Sequence, residues 1–119
     1  GLDSLQNIVG GSDFSSLPEA KGLNNLRNIG EHAGFSNLIS AKGLDSLENI
    51  GGIAYFPKLI TADGLENLRH IGGYADFGSL INAESLYNLK YVGRRFDFRS
   101  LTSTKGLENI NIDYMDSNR

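Results

Sequence analysis

The chain has 119 residues, 39% of them hydrophobic, which is enough for one domain around one core, and 11 basic against 14 acidic residues leave a net charge of −3. That charge, spread along the chain, disfavours nucleic acid or an anionic membrane as the main partner, since both attract clustered lysine and arginine. No apolar run reaches the roughly 20 residues that cross a bilayer, no signal-peptide core is present, and the absence of cysteine removes disulfides and thiolate metal sites while leaving the redox compartment open.

From Gly1 to Lys105 the sequence repeats every 21 residues without insertion or deletion, each unit opening at Gly1, Gly22, Gly43, Gly64 or Ser85, and a partial unit follows from Gly106. Leucine or isoleucine recurs in columns such as Leu23, Leu44, Leu65 and Leu86, or Ile29, Ile50 and Ile71. Phe14, Phe35, Phe56, Phe77 and Phe98 form a further column, and Ala20, Ala41, Ala62 and Ala83 another. Fixed self-similarity of this kind marks a solenoid, in which neighbouring units bury what one unit alone cannot. The expected organisation is a single repeat domain over 1–119, with five coils in 1–105 and a partial coil and C-terminal cap in 106–119.

Within one unit the elements follow in order. Leu65, Leu68 and Ile71 are spaced by three, which predicts a 3₁₀ or irregular helical turn. Glycine in the ninth column (Gly30, Gly51, Gly72, Gly93) predicts a corner with φ > 0. Tyr74 to Phe77 then alternates like a half-buried strand, with Ala75 and Phe77 inward and Tyr74 and Asp76 outward. A second bend turns Leu80, Ile81 and Ala83 inward, and stacking pairs each strand in parallel with its equivalent one coil away. At the start, nothing in the sequence covers Leu2 and Leu5, so the first coil is expected to be covered either by upstream repeats or by self-association with a second molecule, while Ile110, Ile112 and Tyr114 are expected to cap the other end.

The run Leu65-x-x-Leu68-x-x-Ile71-Gly72-Gly73-x-Ala75-x-Phe77 resembles the leucine-rich repeat superfamily, above all the receptor-L-domain-like and BspA-like bacterial repeats. The resemblance extends over residues 1 to about 112. It implies a right-handed leucine-rich-repeat-like solenoid with one short parallel β-strand plus a 3₁₀ or irregular turn per coil, and a bacterial or phage surface protein. The chain departs from the family in placing Ala or Phe where the strand leucine usually stands and in lacking an asparagine ladder at its usual place.

Reaction chemistry is hard to find. No phosphate loop, nucleophile elbow, zinc helix or EF-hand occurs, so no cofactor and no enzymatic activity are expected. His32 and His70 fall in different columns and are expected to be solvated or locally hydrogen-bonded. Asp13, Asp76 and Asp97 share an outward column, a pattern that holds calcium in some β-solenoids, but Gly34 and Tyr55 interrupt it and the glycine-rich nonapeptide period is missing. Solvated carboxylates are the expectation. The repeated Ser and Asn positions, among them Ser46, Asn67 and Asn88, and the neighbouring Asn7, Asn28 and Asn49, are expected to satisfy backbone groups at the turns.

Regular columns describe scaffold, so a binding site is sought where regularity fails. From the third coil onward the outward strand columns place Ile53, Tyr55, Tyr74, Asp76, Arg95, Asp97 and Arg99 on one face, and aromatic residues and arginine are the types enriched at interface hot spots. The expected function is non-catalytic recognition of a protein or glycan through that face, with no insertion into a membrane and an extracellular or surface setting. The alternative is a structural spacer or fibre segment of a cell-surface or phage-tail assembly.

Overall fold

In the computed structural model residues 5–112 are described, and they form a β-solenoid of parallel strands with almost no helix. The expected cap beyond Ile112, and Leu2 of the first coil, lie outside the described residues. The particle measures 41 × 23 × 21 Å.

Where one strand per coil is expected, the structure has two. The first sheet stacks β1 (Asn7–Ile8), β3 (Asn28–Ile29), β5 (Asn49–Ile50), β7 (His70–Ile71), β9 (Tyr91–Val92) and β11 (Asn111–Ile112). The second stacks β2 (Ser12–Asp13), β4 (Ala33–Gly34), β6 (Ala54–Tyr55), β8 (Ala75–Asp76) and β10 (Phe96–Asp97). A third side is tied by the isolated parallel bridges Glu19 to Ser40 and Thr61 to Asn82. Like residues face like: Ile8 pairs with Ile29, Ile29 with Ile50, Ile50 with Ile71 and Ile71 with Val92. After β9 the chain shortens its step by one residue, so that Ile112, and not Asp113, stands opposite Val92.

The spacing by three is a string of β-turns. The Leu65 amide donates to the Ala62 carbonyl at 2.9 Å, the Leu68 amide to Leu65 at 3.1 Å and the Leu80 amide to Phe77 at 3.0 Å, each bond closing one turn between core columns. These turns pass through Gly22, Gly43, Gly64 and Gly106 with φ between +87° and +106°, a region open to glycine and costly to a residue with a Cβ. Ser85 stands in that column without a positive φ, and there the chain forms the one 3₁₀ segment among the described residues, Glu84–Leu86. The ninth-column glycines serve another purpose than the expected left-handed corner. A Cβ on Gly30, Gly51, Gly72 or Gly93 would lie 2.0–2.3 Å from the carbonyl oxygen of the coil below, so the column is glycine because two backbones touch.

The core is a set of ladders. Phe35, Phe56 and Phe77 are fully buried, and the rings from Phe14 to Phe98 stack at 5.0–5.3 Å between centroids and within 20° of parallel. Leucine, isoleucine and alanine columns surround them. Ile81, placed inward by the sequence reading, is 44% exposed: it follows the buried Leu80 at a bend, and its side chain points outward.

Candidate functional site

The second sheet carries the predicted face. Its inward column is Ala33, Ala54 and Ala75, all fully buried, and the small methyl groups let the sheet lie close on the phenylalanine stack. The outward column runs Tyr55, Asp76, Asp97, each opposite the next across β6, β8 and β10. Ile53, Tyr74 and Arg95 open the same strands, and their carbonyls accept the Ala33, Ala54 and Ala75 amides at 2.7, 2.9 and 3.0 Å. Tyr55 and Arg95 are exposed, and Ile53, Tyr74 and Asp76 are half-buried.

Asp97 does not fit the expectation of a solvated carboxylate. It is 4% exposed and accepts three bonds from the Arg99 guanidinium, from Nε at 3.0 and 3.1 Å and from Nη2 at 2.6 Å, together with the Arg99 backbone amide at 3.2 Å. Paired this way, burial is tolerable, and the guanidinium bonds hold the carboxyl below the usual carboxylate range against the opposing effect of desolvation. Arg99 itself stays mostly in water, its side chain 70% exposed. Asp13 and Asp76 likewise accept the amide two residues on, at 2.9 and 3.0 Å, so this aspartate column closes the turn after each strand.

These groups meet at Tyr74. Burial pushes its phenol up, the carboxylates of Asp76 and Asp97 add to that, and Arg95 and Arg99 oppose them. Strand register brings these residues to one face: Asp76 stands opposite both Tyr55 and Asp97, Arg99 folds onto Asp97, and Tyr74 and Arg95 precede the paired strands β8 and β10, with Ile53 one coil away. Ile53 is also engaged from below, its amide donating to Nδ1 of His32 at 3.1 Å, which gives that histidine the local bond expected of it. His70 stacks on Tyr91 at 4.9 Å on the other sheet, remote in sequence column from this face.

The repeated polar columns do satisfy backbone groups. The Asn67 and Asn88 side chains donate to the carbonyls of Asp45 and Glu66, each at 2.6 Å, and the Ser46 hydroxyl to Asn24 at 2.7 Å. Asn7, Asn28 and Asn49 instead bond to one another, Asn28 to Asn7 at 2.7 Å and Asn49 to Asn28 at 2.6 Å, forming an asparagine ladder on the first sheet. A second exposed surface escaped the sequence reading. Ile39, Ile60 and Ile81 lie outward on the third side, and the signal that marks them is a β-branched residue directly after each buried Leu38, Leu59 and Leu80.

Among the described residues no group of three or more His, Asp or Glu side chains could hold a metal ion, and no helix is long and apolar enough to cross a membrane. Compared with protein-family models, with curated proteins and with solved structures, the chain finds no match.

Proposed function

We propose that the chain is a leucine-rich-repeat-type module, a right-handed array of 21-residue coils, that binds a protein or glycan non-catalytically through the face bearing Tyr55, Tyr74, Asp76, Arg95, Asp97 and Arg99, with Ile53 at its margin. The observation that carries this reading is the Tyr74 cluster: an aromatic ring among two guanidinium and two carboxylate groups, at the least regular part of a regular scaffold. Tyr and Arg combine apolar area with directional hydrogen bonding, which is why they dominate interface energies. The bidentate pairing of the exposed Arg99 guanidinium with the buried Asp97 carboxylate supports the reading, because it fixes a charged group in place before any partner arrives. A surface setting on a bacterium or phage belongs to the same proposal.

Tyr74→Ala and Arg95→Ala test it. An immobilised chain is screened against arrayed polysaccharides and extracellular proteins, and hits are titrated by calorimetry. Both variants are expected to weaken binding at least about tenfold, as hot-spot truncations do, with little change in melting temperature. Wild-type affinity in both would place binding elsewhere.

The second reading is a structural spacer, favoured by the unbroken phenylalanine stack from Phe14 to Phe98, which would make the array stiff. A chain that binds no arrayed partner yet shows high bending stiffness in force measurements supports it.

A further inference from the structure

The third side of the solenoid is apolar and self-complementary in charge. Ile39, Ile60 and Ile81 follow one another coil by coil and are 62%, 45% and 44% exposed. The Ile81 amide donates to the Ile60 carbonyl at 2.8 Å, which sets these two at the spacing of adjacent strands, about 4.8 Å. Isoleucine at three successive exposed positions is an apolar ridge and not scattered surface residues. Three residues after each ridge position, and after Pro18 in the same column, runs a line of charges, Lys21, Lys42, Asp63 and Glu84, with Lys105 next after Thr102. All five are exposed. The column borders the ridge, since Ile81 and Glu84 line one shallow depression.

We propose that this side is a docking surface for a second copy of the chain, running antiparallel. The order of the charges decides the partner. A two-fold axis in the plane of contact, perpendicular to the coil axis, reverses the order of the coils and keeps the charged column on the same side of the ridge. Placed between the second and third coils, it sets Lys42 against Asp63 of the second copy and Lys21 against Glu84 of the second copy. Each contact then occurs twice, as in every isologous dimer. In the same arrangement Ile39 meets Ile60 of the second copy, and Ile81 meets Pro18. A two-fold axis along the coil axis would instead carry the second copy's charged column to the far side of the ridge, away from the first, so only the antiparallel form brings lysines and acids of the two columns together. The neighbouring groups do not interfere: Asp63 accepts the Ser85 hydroxyl at 2.7 Å, and Glu84 lies 3.9 Å from Lys105, a loose exposed pair that costs little to exchange.

The surface is small. Four coils span about 19 Å at strand spacing, and a contact of that length falls below the roughly 800 Å² per partner of a standard interface. The dimer is therefore weak and concentration-dependent. Raising salt loosens it through the flanking charges.

Sedimentation equilibrium of the full chain tests this over a concentration series up to about 1 mM, the weak end of the affinity scale. The expected result is a monomer–dimer equilibrium that Ile60→Lys abolishes. Lys42→Glu and Asp63→Lys are each expected to weaken association about tenfold, since each change inverts two contacts of the symmetric dimer. The double variant carrying both restores those contacts and is expected to return towards wild type. Circular dichroism on each variant confirms that the coil is intact, and the double variant shows the effect even if one single variant folds poorly. A strictly monomeric wild type, association unaffected by Ile60→Lys, or a double variant no stronger than the weaker single variant would each overturn the proposal.

Discussion

Phe77 lies between two other phenylalanines, 5.3 Å from each, with both faces of its ring covered and nothing left in contact with water. Truncation to alanine opens a cavity that a ladder cannot refill without slipping its register, so Phe77→Ala is expected to cost about 3 to 5 kcal/mol in urea unfolding. A loss below about 1 kcal/mol would show that the stack carries little of the core energy. Asp97 contributes in a different way. Its carboxyl is held low by Arg99, so the stabilisation is present above the ordinary carboxylate range and is lost as pH falls through the folded-state value. Unfolding measured at pH 7 and at about pH 3, below the ordinary carboxylate range, is expected to show a larger loss in wild type than in Asp97→Asn, which has no charge to lose at that position. Equal losses would mean that the pair adds nothing to folding.

At the scale of the element, the coil corners are held by backbone contact. Gly51 sits where a Cβ would come within 2.1 Å of the Gly30 carbonyl oxygen, and Gly10, at an apparently similar corner, has nothing within 4 Å. Gly51→Ala is therefore expected to destabilise by at least about 2 kcal/mol, and Gly10→Ala to be neutral or stabilising by up to about 1 kcal/mol through the unfolded chain. Paired thermal melts check the contrast, and equal effects would show that close approach is not what the column requires. The sequence made the columns legible, because Phe35, Phe56 and Phe77 or Leu23, Leu44 and Leu65 can recur in register only if they stack. It hid the first sheet. Asn28–Ile29 is too short to show alternation, and Ile29 lies three residues after Leu26, so one spacing serves both a 3₁₀ turn and a chain of β-turns ending in a strand. Glycine columns are equally ambiguous, since positive φ at Gly64 and steric contact at Gly51 leave the same letter. The candidate face was readable as an outward column, but the burial of Asp97 was not, because it depends on the Arg99 side chain folding back two residues to meet it.

For the whole molecule the controlling fact is that each coil touches only its neighbours, so stability is a sum of coils and interfaces and not a single global core. Leu5, Ile8, Phe14 and Leu17 in the first coil are half-buried, while their equivalents Leu47, Ile50, Phe56 and Leu59 are fully buried. Each apolar group left in water forfeits roughly 25 cal/mol for every Å² not covered, and a coil with one covered face gains one interface where a central coil gains two. Opening free energies must then fall from the middle of the array towards the first coil. Native-state hydrogen exchange is expected to show it: the Gly51 and Phe56 amides, bonded to Ile29 and Asp76 at 2.8 and 2.9 Å, exchange slowest, and the Ser12 and Phe14 amides, bonded to His32 and Gly34 at 2.8 and 2.7 Å, exchange faster. The bond lengths are alike, so any difference in rate reports the coupling between coils and not the strength of the individual bond. Adding Phe77→Ala in the same experiment separates two forms of that coupling. If coils open one after another, the variant speeds exchange most around the fourth coil and leaves the Ser12 rate nearly unchanged. If the array opens as one unit, all of these amides accelerate together and the gradient is absent even in wild type, which would overturn the nearest-neighbour account.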